Sequence, residues 1–146
     1  MKKTEKPLVS IIMNCHNGEK YLDEAIQSVL RQTYQNWEII FWDNNSTDNS
    51  SKIIRSYFDH RIKYYYSDNY SKLGKARNLA IEKAEGELIG FLDCDDLWLP
   101  NKLELQILVF NDQEVGIAIS NSIFFNKKGK EKLLYKTKPS EGFVFR

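Results

Sequence analysis

Cysteine is scarce: Cys15 and Cys94 are the only two in 146 residues. Two are too few for a disulfide scaffold, and their separation does not match a metal-ligand spacing. A reducing, cytoplasmic setting is the simplest expectation, with a peripheral place at the inner face of the membrane as its variant. An excess of one charge is also missing, since 21 Lys and Arg face 20 Asp and Glu for a net charge of +1. Bulk charge therefore makes no case for nucleic acid or an anionic membrane surface, and any electrostatic function has to be local. No stretch approaches the ~20 apolar residues of a membrane span. The segment MKKTEKPLVSIIMNCHNG starts basic, but its apolar run is interrupted by Ser10 and ended by Asn14, so it does not read as a signal peptide. Repeats, linkers and low-complexity tracts are absent too. What remains is 42% hydrophobic and 28% charged residues, the balance of a soluble globular chain one domain long.

Apolar patterning then alternates between two periods. Residues 8–13 (LVSIIM) are a continuous β-branched run, as in a strand covered on both faces. After Asn17-Gly18, apolar residues at Tyr21, Leu22, Ala25, Ile26, Val29 and Leu30 predict an amphipathic helix ending near Gln32. WEIIFW (37–42) predicts a second strand. Ser46-Thr47-Asp48 supplies an N-cap for a helix that carries Ile53, Ile54, Tyr57 and Phe58 inward. Residues 62–66 predict a third strand. Gly74 to Ala84 predicts a helix with Ala76, Leu79, Ala80 and Ala84 on its apolar side. GELIGFL (86–92) reads as a buried fourth strand, and Pro100 suits the first turn of a helix running to about Asn111. VGIAIS (115–120) and, after a turn at 126–129, KLLYK (132–136) predict two more strands. The order predicts one α/β domain over residues 1–146, with a mostly parallel central sheet flanked by helices. Such sheets bind ligands beyond the carboxyl ends of their strands, so residues 14–18, 43–48 and 93–96 should rim one crevice.

Chemistry-bearing residues sit in those segments. On an extended chain Asp93 and Asp95 share a face while Cys94 turns away. Carboxylates this close oppose one another's ionisation unless a cation intervenes, and Mg²⁺ or Mn²⁺ accepts such oxygens. The alternative is that Asp95 or Asp96 only caps the turn towards Pro100. Asp43 is placed to accept hydrogen bonds from a nucleoside, although an Asx turn explains part of DNNSTDNS (43–50). His16 could stack on a base or be an ordinary loop residue, and Cys15 reads as a small buried filler. Lys72, Lys75 and Arg77 open a helix whose amino end favours a diphosphate. A solvated basic face explains the two lysines equally well. Arg77 lies beside Ala76 and Ala80 and reads as a paired, site-facing group.

Taken in order, VSIIMNCHN, QTYQNWEIIFWDNNSTD, GKARNLAI and AEGELIGFLDCDDLWLPNKL closely resemble family 2 glycosyltransferases of the GT-A fold, over residues 7 to about 125. The resemblance implies a Rossmann-like three-layer domain. It also implies inverting transfer of a sugar from a nucleotide-diphosphate donor with Mg²⁺ or Mn²⁺, in cell-surface polysaccharide or glycan synthesis. His16 then stands where an aromatic commonly packs on the base, Asp43 falls in the base-and-ribose segment, and Asp93 faces the ribose or sugar. Asp95 becomes the metal aspartate of the D-x-D motif, with Asp93 as its companion ligand. Asn17, Asn44, Lys72, Arg77 and Cys94 complete the expected donor site.

Three departures from the family pattern stand out. Asn14 replaces the usual proline. Asn44 stands where many relatives carry a second aspartate, and its amide oxygen can accept the N3–H of uracil or thymine, which favours UDP- or dTDP-sugars. The family's catalytic base is an acid of the acceptor half, expected beyond Arg146. The chain therefore reads as the donor-binding half, expected to bind donor and transfer poorly, with an inactive nucleotide-sugar-binding fragment as the rival reading. A glycan, a lipid carrier or another acceptor fits equally, and a homodimer is allowed. A sugar nucleotidyltransferase is disfavoured because NCHNGEK (14–20) has one glycine where a triphosphate loop needs several. An aspartyl phosphatase would put its acids where Asn14 and Cys15 stand.

Overall fold

β1 (Val9–Cys15) is buried along nearly its whole length, and β2 (Trp37–Asp43) along all of it. Apolar side chains on both faces of a strand demand a covering layer on each side of the sheet. The computed structural model, which describes residues 6–126 and 131–134, has those layers. Four parallel strands run in the order β3 (Ile62–Tyr66), β2, β1, β4 (Leu88–Phe91). α1 (Leu22–Leu30) and α2 (Ser50–Arg55) lie in crossovers that step one way from β1, whereas α3 (Leu73–Ile81) steps back past it to β4. Right-handed crossovers put α1 and α2 on one face and α3 on the other. Accordingly α1 touches α2, and Ala76 and Ala80 of α3 pack on Ile12, Ile40 and Trp42. The opposite face, with Ile11, Met13, Ile39 and Phe41, is fully buried. The chain is an α/β fold whose strand order reverses between β1 and β4.

The amino end of the sheet is closed by a buried polar network. Glu38 of β2 accepts hydrogen bonds from the Ser10 hydroxyl of β1 and, at 2.8 Å, from the Glu85 N–H. Lys63 of β3 lies 2.7 Å from the same carboxylate and 2.8 Å from that of Glu85. The Ser10 oxygen in turn accepts the Gly86 N–H at 2.8 Å. A Cβ on Gly86 would lie 2.6 Å from that oxygen and 2.7 Å from the Leu8 carbonyl, so only glycine lets the α3–β4 connection pass this close. Burial pushes the Glu38 carboxyl up, but Lys63, the Ser10 hydroxyl and the Glu85 N–H outweigh it and hold the group below its ordinary range.

Several expectations are corrected. β4 is an edge strand, with Ile89 40% and Phe91 49% exposed; Leu92, just past its end, is the buried residue. α2 ends at Arg55, so Phe58 lies beyond the helix and fully exposed, and Ile54 is its buried apolar residue. Its N-cap position is Asn49, which makes no side-chain cap; Asp48 instead accepts the Ser50 N–H at 2.9 Å. α4 (Lys102–Val109) starts after Pro100, whose carbonyl accepts the Thr33 N–H at 2.8 Å. Residues 115–120 are not a strand, and Ile117 and Ile119 stay exposed. The antiparallel pair is β5 (Ile123–Phe125) with β6 (Glu131–Leu133). Alternating side chains suit a sheet, but among the described residues no strand pairs with this segment. Most of the turn expected at 126–129, the end of KLLYK and the apolar residues Phe143-Val144-Phe145 lie outside the described residues.

The chain divides into two compact units, Met1–Leu105 and Gln106–Arg146, with the four-stranded sheet in the first and β5–β6 in the second. Among the described residues no helix is long and apolar enough to cross a membrane.

Because the folded pKa of Glu38 lies below its unfolded value, its stabilisation is complete above about pH 4.3 and lost as pH falls through the folded value. Glu38→Gln should therefore lower stability by about 2–3 kcal/mol at pH 7, Lys63 keeping Glu85 as a partner. The gap between the urea midpoints of the two proteins should narrow from pH 7 to pH 3. Gly86→Ala should cost about 1–3 kcal/mol at both pH values.

Candidate functional site

The loops after β1 and β2 are laced together. Asp43, fully buried at the end of β2, accepts the Ser46 N–H at 2.9 Å and the Tyr64 hydroxyl at 2.8 Å, one on each oxygen. Asn17 and Asn45 take left-handed backbone angles, φ 57° and 63°, which asparagine tolerates better than most residues. Asn17 accepts the Thr47 N–H at 2.8 Å on its side-chain oxygen and gives its own N–H to the Ser46 hydroxyl at 3.0 Å. Asp48 accepts the Glu19 N–H at 2.9 Å. One oxygen each of Asp43 and Asn17 thus holds backbone, and Asp43 is fully buried.

Asn44 does the same for the loop before α3. Its amide nitrogen donates to the Ser71 carbonyl at 2.7 Å, and its oxygen accepts the Ser71 N–H at 3.0 Å and hydroxyl at 3.2 Å. A carboxylate could not make the first of these bonds. The oxygen expected to meet a pyrimidine N3–H is already engaged twice by Ser71, so Asn44 supplies no preference for uracil or thymine.

Beyond this clamp lies an exposed aromatic rim. His16 Nδ1 sits 3.0 Å from the Asn44 carbonyl, which can only accept, so Nδ1 carries the proton. The imidazole meets the Tyr70 ring at 4.7 Å, edge to face. Tyr66 donates to the Asn45 side chain at 3.1 Å. Tyr70, 59% exposed, was not among the residues expected from sequence. Its only sequence signal is an aromatic in the polar run SDNYSK (67–72).

At the end of β4 the chain turns at once. The Asp93 carbonyl accepts the Asp96 N–H at 3.1 Å, a β-turn, so the extended alternation expected to align Asp93 with Asp95 does not apply. Asp93 is half-buried and accepts Arg77 Nη2 at 2.7 Å, while the Arg77 guanidinium lies 5.6 Å from the Phe91 ring. Arg77 reaches the turn because Ala76 and Ala80 seat α3 flat on the sheet. Lys72 precedes the first residue of α3, and both it and Lys75 are exposed. Asp95 is exposed and makes no hydrogen bond to a described residue. Burial, then Asp95 and Asp93, push the Asp96 carboxyl up. Cys94 is buried, its thiol 3.0 Å from the Asn14 carbonyl. The adjoining Cys94 thiol holds the Cys15 thiol down to about 7 against burial, with Ser50, the Gly18 N–H and Ser46 assisting, and the Cys15 thiol together with burial pushes Cys94 up.

Among the described residues no three His, Cys, Asp or Glu side chains converge as a cation cage. Asp95 and the Asp93 oxygen that Arg77 leaves clear nonetheless suit a hard divalent ion that takes one or two carboxylates and completes its shell with phosphate and water.

A parallel sheet with crossed helices on both faces and an acidic turn at its reversal point defines an α/β fold of the GT-A type. The chain belongs to glycosyl transferase family 2, whose profile matches residues 10–144. It is 40% identical over 119 residues to UDP-Glc:alpha-D-GlcNAc-diphosphoundecaprenol beta-1,3-glucosyltransferase WfgD of Escherichia coli, covering 82% of this chain and 47% of that one. It is 34% identical over 116 residues to glycosyltransferase GlyG of Streptococcus pneumoniae, covering 78% and 38%. The chain thus spans less than half the length of these curated relatives. S. aureus TarS in complex with UDP superposes with a TM-score of 0.66 at 31% identity, over 72% of this chain and 32% of that one. The mannosyltransferase PcManGT of Pyrobaculum calidifontis, in complex with GDP-Man and Mn²⁺, superposes with a TM-score of 0.72 at 24% identity, over 77% and 35%, a likeness of fold.

Asn44→Ala strips Ser71 of three hydrogen bonds at once. It should destabilise the protein by about 1–3 kcal/mol, read as a lower thermal midpoint, with faster hydrogen exchange at residues 67–72.

Proposed function

We propose that residues 6–105 form the donor side of an inverting glycosyltransferase, binding a nucleotide-diphosphate sugar with Mg²⁺ or Mn²⁺. The observation that carries this is the Arg77–Asp93 ion pair in the turn that also carries the exposed Asp95, beside the point where the strand order reverses. Asp95 would hold the cation with the free oxygen of Asp93. When bound, that cation neutralises charge on the departing diphosphate. Arg77 fixes the orientation of Asp93 and keeps the carboxylates from repelling one another unopposed. Lys72 and the amino end of α3 offer positive charge to phosphate. The exposed rings of His16 and Tyr70 offer flat surfaces to the base.

A uridine nucleotide is the favoured donor. With Asn44 committed to Ser71, this preference rests on the relatives: WfgD is named for UDP-Glc, and TarS structures hold UDP and UDP-GlcNAc. A lipid-carried or polymeric glycan is the matching class of acceptor. Between Asp96 and residue 105 the single acid is Glu104, and it accepts the Thr33 hydroxyl at 2.7 Å. No catalytic base is therefore assigned within residues 6–105.

Calorimetric titration tests the reading. UDP should bind in the presence of Mn²⁺ and lose at least about tenfold in affinity with EDTA or in Asp95→Asn. That variant should unfold at the same or a higher temperature, because one of three crowded carboxylates is gone. Equal UDP affinity with and without EDTA would refute the metal assignment, and tighter binding of GDP than UDP would overturn the uridine preference.

A further inference from the structure

The two thiols are unused by the donor reading, yet the fold brings them together. Cys15 and Cys94 keep the same sequence offset as the register pairs of β1 and β4, such as Ile12 with Phe91. The ladder continues past β4, with the Leu92 N–H donating to the Ile12 carbonyl at 3.1 Å. Two positions further on, as the chain turns, Cys94 stays beside the end of β1, its Cβ and Sγ next to Cys15 Sγ around Gly18. Neighbouring parallel strands run about 4.8 Å apart, inside the Cα range that a disulfide bridges.

Both cysteines are reduced in the structure and buried, 2% and 9% exposed. They crowd the same spot. A Cβ placed on Gly18 would lie 2.8 Å from Cys15 Sγ, 3.2 Å from Cys94 Cβ and 3.8 Å from Cys94 Sγ. Cys94 Sγ now leans on the Asn14 carbonyl at 3.0 Å. Bonding to Cys15 requires an S–S distance of about 2.0 Å, so Cys94 must give up that contact. Its two chain neighbours are Asp93 and Asp95, so any backbone adjustment that accompanies the bond passes into the turn that carries both carboxylates.

We propose that Cys15 and Cys94 are a redox site, forming a reversible disulfide that shifts the Asp93–Asp96 turn and weakens metal-dependent donor binding. The last clause rests on the donor reading above. Hydrogen peroxide is the oxidant class small enough to reach them. One thiol is oxidised to a sulfenic acid with release of water. The second sulfur then displaces the hydroxyl, forming the S–S bond and releasing a second water. A dithiol reductant restores both thiols by exchange.

The test has a donor-independent arm and a donor-dependent arm. Peroxide treatment of the full chain, followed by non-reducing peptide mapping, should yield a linked Cys15–Cys94 peptide pair lighter by two hydrogens and cleaved by dithiothreitol. Hydrogen exchange at residues 92–98 should change with it and revert on reduction, and Cys15→Ser should show neither response. Only intermolecular disulfides, only sulfinic acid, or unchanged exchange at 92–98 would overturn the proposal. In the second arm, UDP affinity with Mn²⁺ should fall at least about tenfold on oxidation and recover on reduction. A bridged protein that binds UDP as before overturns the control of binding. UDP binding in neither state overturns the donor reading and, with it, the control of donor binding, while the mapping still decides the disulfide.

Discussion

β1 and β2 are buried on both faces, and the arrangement of the first unit follows from that one constraint. A strand with no polar face cannot sit at the surface, so helices must cross it on both sides. Covering both faces requires the chain to reverse its direction of winding, which it does between β3 and β4, placing β4 beside β1. Polar chemistry is then confined to the two ends of the sheet. The amino end is closed by Glu38, Ser10 and Lys63, leaving the carboxyl end as the place where loops can carry function.

At that carboxyl end the polar residues divide by what their atoms already hold. Asp43, Asn17, Asp48 and Asn44 accept hydrogen bonds from neighbouring backbone N–H groups, and Asp43 and Asn44 also from the Tyr64 and Ser71 hydroxyls, fixing the loops after β1 and β2 and the approach to α3. Asp95, Lys72 and the rings of His16 and Tyr70 remain at the surface. A rigid shell behind a few accessible groups is what positioning a flexible diphosphate requires. It also explains why a strand ends in three aspartates. Arg77 neutralises one of them, and a cation with its phosphate ligands would offset the others.

The same turn is tied underneath to β1 through the Cys94 thiol and the Asn14 carbonyl. The Cys94 side chain and the two carboxylates thus share one short segment. Such proximity follows from a small sheet, in which residues on adjacent parallel strands stand only a few ångströms apart.

The order of strands and helices was legible in the sequence because periodicity is local: LVSIIM and WEIIFW announce strands buried on both faces, and Ala76 and Ala80 announce the inner side of α3. The gathering of the segments after β1, β2 and β4 at one end follows from parallel alternation alone. Periodicity could not show that, among the described residues, β4 is an edge and 115–120 pair with no strand, or that Phe58 lies past its helix. Nor could it show that Asn44 grips Ser71, that Asp43 is shut in by Tyr64, or that Cys15 faces Cys94. A side-chain pattern records which face a residue takes and how apolar that face is. Which group from a distant segment stands opposite it is set by strand order and register, and those exist only once the sheet has formed.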